Sequence, residues 1–60
     1  MKLVVNILNE KMETVKTIDG FESYKHAYEF AKSESAWRGW FVQIAAIESG
    51  KVMQDCFIKA

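Results

Sequence analysis

Two apolar runs, Trp40 to Ile47 and Val52 to Ile58, are separated by Ser49-Gly50, a dipeptide suited to a two-residue hairpin turn. The pattern predicts two antiparallel strands, and Glu48 then faces Lys51 across the turn as an opposite-charge pair. In a regular register, one sheet face collects Phe41, Gln43, Ala45, Ile47, Val52, Gln54, Cys56 and Ile58. The other collects Trp40, Val42, Ile44, Ala46, Met53 and Phe57, with Asp55 as its main polar exception. A hairpin bearing apolar side chains on both faces needs a cover for each.

The rest of the chain provides one such cover. Lys2 to Asn9 has strand character, with Leu3, Val5 and Ile7 on one face and Val4, Asn6 and Leu8 on the other. A polar turn at Asn9-Glu10-Lys11 leads to a second strand over Met12 to Ile18, and a three-residue loop sets Val5 opposite Val15. Asp19, with Glu22 three residues on, resembles a helix-capping box. Phe21, Tyr24, Ala27, Tyr28 and Ala31 recur at three- and four-residue spacing, predicting an amphipathic helix from Phe21 to about Ser33 that ends in Ser33-Glu34-Ser35. Gly20 serves the strand-to-helix turn, and Gly39 a bend where the third strand begins. The expected fold is α+β in the order ββαββ: one domain over residues 1–60, an antiparallel sheet of two hairpins packed on one helix.

With sixty residues there is room for a single core, and domains this short usually draw on disulfides, a metal or oligomerisation. Cys56 is the only cysteine and His26 the only histidine, which excludes an internal disulfide and the usual thiolate or imidazole metal sites. Oligomerisation is left, and a second copy is its simplest form. The fold is therefore expected to be completed by dimerisation.

No catalytic, cofactor or metal residues are assigned. Cys56 falls on an apolar strand face and His26 on the polar side of the helix, beside Glu22, so they do not form a nucleophile and base. The carboxylates follow no acid–base or cation-binding spacing, and Gly20, Gly39 and Gly50 are too dispersed for a phosphate loop. Eight basic and eight acidic side chains give zero net charge, a poor starting point for nucleic-acid binding. The apolar run at the amino end is short and interrupted by Asn6, unlike a signal peptide, and no stretch approaches a membrane span. An unpaired cysteine suits the cytoplasm.

Trp37-Arg38-Gly39-Trp40-Phe41 concentrates both tryptophans and the only arginine, residue types enriched in interface hot spots. With the apolar face of the second hairpin, this gives a candidate protein interface of Trp37, Arg38, Trp40, Val42, Ile44, Met53 and Phe57. The expectation is a small non-enzymatic homodimer that binds a larger protein, still unidentified. Plain binders of this size are a common form of phage or mobile-element accessory protein, including inhibitors of host defence proteins, which would act in the host cytoplasm. The alternative is a nucleic-acid binder whose aromatic and Arg side chains stack on bases.

Overall fold

The computed structural model describes residues 2–60. Four strands and one helix follow in the order β1 (Lys2–Leu8), β2 (Thr14–Ile18), α1 (Tyr24–Arg38), β3 (Val42–Glu48) and β4 (Lys51–Ile58). They form one antiparallel sheet with the strand order β2-β1-β3-β4 and the helix on one face, an α+β fold. The long connection through α1 joins the two hairpins by pairing β1 with β3 at the centre, from Lys2 opposite Ile47 to Ile7 opposite Val42.

Val5 and Ile7 of β1 and Val42 and Ile44 of β3 are fully or almost fully buried against Ala27 and Ala31 of α1. Leu3, Ile18, Phe21, Phe30, Trp40, Cys56 and Ile58 pack around them. The buried line of the helix is Ala27, Ala31 and Ser35, all small, so the helix axis can lie close to the sheet. Tyr24 and Tyr28, expected in the apolar stripe, flank this line and are exposed, their rings 6.2 Å apart.

The helix lies further along the chain than its periodicity predicts. Ser23, in extended conformation, caps the amino end by accepting from the His26 amide, so Asp19 is not the cap. Asp19 instead pairs with the Lys2 ammonium at 2.9 Å, and that hydrogen bond holds its carboxyl below the usual value. The helix also continues through Ser33-Glu34-Ser35 and ends at Gly39, whose left-handed backbone (φ 72°) lets its amide donate to the Ser35 carbonyl at 2.7 Å. Trp37 and Arg38 thus form the last helical turn, and Trp40 precedes β3 instead of opening it.

Both hairpins carry a bulge. In the first, neither the predicted loop nor the pairing of Val5 with Val15 is found: Val5 faces Ile18, and the loop runs from Asn9 to Glu13. The Asn9 side chain accepts from the amides of Lys11 and Glu13 and stabilises this longer turn, with Met12 left-handed at φ 63°. In the second, Ser49 and Gly50 adopt positive φ (52° and 77°), as a type I′ turn requires, and Glu48 faces Lys51 as expected. The register then shifts between Ala46 and Ile47, which pair with Gln54 and Val52 and leave Met53 as the extra residue. Beyond Met53 the predicted faces are exchanged: Cys56 and Ile58 join Ile44 and Val42 beneath the helix, while Asp55 and Phe57 turn to the other side.

Ser35 joins three parts of the chain. Its buried hydroxyl donates to the Trp40 carbonyl at 2.6 Å and accepts from the Ala60 amide at 2.9 Å. Replacing Ser35 with Ala strands two backbone groups, and an unsatisfied buried group costs about 1–3 kcal/mol. Urea denaturation of Ser35→Ala should show a destabilisation in that range with an unchanged m-value.

Candidate functional site

Among the described residues, the face of the sheet opposite α1 has no second layer. It is formed by Lys2, Val4, Asn6 and Leu8 of β1, Thr17 of β2, Gln43, Ala45 and Ile47 of β3, and Val52, Asp55 and Phe57 of β4, with Phe41 continuing the alternation before β3. Val4, Leu8 and Ala45 of the central strands are buried. Phe41, Val52 and Phe57 remain 38%, 59% and 52% exposed, and lie towards the β3–β4 side.

A hydrogen-bonded row of polar side chains crosses this face. The Thr17 hydroxyl donates to Asn6 Oδ1 at 2.7 Å, the Asn6 amide to Gln43 Oε1 at 3.0 Å, and the Gln43 amide to Asp55 Oδ2 at 2.9 Å. The row links all four strands and ends on a carboxylate, which can only accept. Sequence reasoning missed it because Asp55 was placed on the opposite face. Asn6 interrupting an apolar strand, with Gln43 on β3, was the available signal.

The candidate interface residues are dispersed. Val42 and Ile44 are core side chains beneath α1. Trp40 packs against that core, and the Arg38 guanidinium lies 5.9 Å from its ring centroid while bonding Glu34 at 3.4 Å. Met53 is the exposed bulge residue on β4 and Phe57 belongs to the outer face. Trp37 stands on the helix at 80% exposure, away from the sheet. These residues do not make one surface; the outer face carries Phe57 near Phe41 at one end and Val52 opposite Ile47 at the other, with Ala45 and Asp55 between them.

A cleft of about 840 Å³ opens beside the amino end of α1, where the helix begins only at Tyr24, and Leu3, Ala46 and Gln54 help to line it. Tyr24 Oη lies 3.3 Å from Cys56 Sγ across it, and that hydrogen bond raises the Tyr24 pKa. His26 is exposed on the helix, and among the described residues the ion pairs within 4 Å are Lys2 with Asp19 and Glu34 with Arg38. Among those residues no three His, Cys, Asp or Glu side chains converge as metal ligands would. Nor does any buried side-chain nitrogen or oxygen lack a partner there.

Among the described residues no helix is long and apolar enough to cross a membrane. Comparison with protein families, with curated proteins and with solved structures finds no match.

The Tyr24–Cys56 contact has a spectroscopic consequence. In a pH titration followed by phenolate absorbance, Tyr24 should ionise above the ordinary tyrosine value, and Cys56→Ala should move that transition back down. An unchanged transition in the variant would show that the thiol does not hold the phenol proton.

Proposed function

We propose that this chain is a small non-enzymatic protein-interaction module that self-associates and acts by occupying a surface on a larger protein. The observation that carries this reading is the bare sheet face, where among the described residues Ile47, Val52 and Phe57 have no covering layer and Phe41 meets the Lys59 ammonium 5.2 Å from its ring centroid. Contiguous exposed apolar side chains mark association surfaces in soluble proteins, and a chain of this length gains the most from a second copy.

A second exposed aromatic supports binding to another protein. Trp37 projects from the last turn of α1 at 80% exposure, next to the Arg38–Trp40 contact. Large, rigid aromatic rings provide contact area at low entropic cost, which is why Trp dominates hot spots. Blocking a partner's surface needs no chemistry from the blocker, which fits inhibition of a host defence protein by a phage- or mobile-element-encoded chain.

Nucleic-acid binding is a second reading, favoured by Phe41 and Phe57 standing beside the Asn6 and Gln43 amides on an open four-stranded sheet. Rings and amides of this kind stack on and hydrogen-bond to unpaired bases. Against it stand the zero net charge and the Asp55 carboxylate on the same face.

Sedimentation equilibrium at micromolar concentration should give twice the chain mass, and fluorescence anisotropy with single-stranded oligonucleotides at low salt should show no binding. In affinity capture from the native host, Trp37→Ala should lower recovery of the target about tenfold or more while the sedimenting mass stays unchanged. A monomer by sedimentation contradicts self-association, and equal capture by Trp37→Ala removes the helix end from the target site.

A further inference from the structure

We propose that the outer sheet face is the interface between two copies of this chain, packed sheet on sheet about a two-fold axis parallel to the strands, so that β4 of each copy lies over β2 of the other. This rests on the self-association proposed above and names the surface and geometry that provide it.

The first argument is area. The molecule has 4211 Å² of accessible surface and extents of 30 × 22 × 15 Å. One broad face of such a slab is about 660 Å² in outline, somewhat below the roughly 800 Å² that each partner contributes to a standard stable interface. A contact restricted to one edge strand or one helix turn would use far less.

The second argument concerns the edges. A free strand edge invites strand addition, and proteins blunt such edges with bulges, charges and short strands. Both edges here are blunted. β2 is short, contains Lys16 and has its register with β1 shifted between Ile7 and Leu8. β4 carries the Met53 bulge together with Lys51 and Asp55. The face carries Lys2 at one end and Lys59 over Phe41 at the other, but its central polar groups are already paired to one another: Asn6 and Gln43 can lose water without losing their mutual hydrogen bonds. Asp55, on the edge strand, keeps its hydrogen bond from Gln43.

The third argument is shape. The exposed apolar side chains Phe41, Val52 and Phe57 stand on the β3–β4 side, whereas the β1–β2 side carries Lys2, Asn6 and Thr17 with the buried Val4 and Leu8. A two-fold axis parallel to the strands, passing between β1 and β3, reverses the strand order and sets the exposed apolar side chains against the partner's β1–β2 side on both halves. Phe57 then meets the partner's Thr17, Phe41 the partner's Leu8, and Gln43 the partner's Asn6. An axis across the strands would instead set β4 over β4 and drive the exposed rings together. Two sheets of like twist pack in the aligned manner about 10 Å apart, leaving room for one layer of interdigitated side chains.

The test uses the full chain. In sedimentation equilibrium the unaltered protein should be a dimer, and Phe57→Glu and Val52→Lys should each weaken the dimer about tenfold or more with native circular dichroism. Lys25→Ala, on the exposed helix side, should leave it unchanged. If Phe57→Glu fails to fold, Val52→Lys decides, since Val52 is 59% exposed beside the turn. In a Cys56→Ser background, Thr17→Cys and Phe57→Cys together should cross-link between copies as 17 to 57 with a short bismaleimide. In the dimer, the β4 amides that do not bond β3 should exchange hydrogen quickly. A dimer indifferent to both face substitutions, a predominant 57-to-57 cross-link, or protected β4 edge amides would overturn this geometry while leaving self-association standing. A monomeric unaltered protein would remove both.

Discussion

The close approach of one helix to one sheet governs the rest of the structure. Ala27, Ala31 and Ser35 present so little bulk that α1 settles directly onto Val5, Ile7, Val42 and Ile44, and the core is built at that seam. The larger side chains of the helix are displaced to its flanks, where Phe30 meets Phe21 on one side and Tyr24 meets Tyr28 on the other. The helix begins only at Tyr24, where Ser23 caps it. The cleft at Leu3 and Ala46 is the region beyond its reach, and the whole opposite face is left to other contacts.

Much of this was legible in the sequence. The alternation of β1, the Ser49-Gly50 turn and the Glu48–Lys51 pair each follow from local chemistry and are present in the structure. The helix limits were harder to see. Asp19 offered a cap as good as Ser23 by side-chain type, and Ser35 resembled a terminus because serine is seldom buried in a helix interior. Its burial depends on partners at Trp40 and Ala60 that no local pattern shows.

The β4 bulge accounts for the largest difference at the candidate site. A regular register sets Asp55 opposite Ile44, under the helix, where an unpaired carboxylate would be buried in an apolar core. One extra residue at Met53 removes that conflict, turning Asp55 towards Gln43 and bringing Cys56 inward beside Tyr24. The lone acid on an otherwise apolar face was therefore the sign of a bulge. Interpreted as an exception, it gave a candidate list containing two core residues, Val42 and Ile44, and without the exposed outer-face side chains Phe41 and Val52.

The polar row from Thr17 to Asp55 has a role in specifying the fold. The buried face already fixes which side each strand residue takes, since a one-residue slip turns the apolar side chains outward, and the outer face adds a second check. Here each strand contributes one member to a chain of donors and acceptors that closes in a single alignment. Sliding β2 by one residue swings Thr17 to the helix side and leaves Asn6 Oδ1 without its donor; sliding β4 removes the carboxylate that terminates the chain. The row works as a gauge of alignment beside the one that the buried apolar side chains provide.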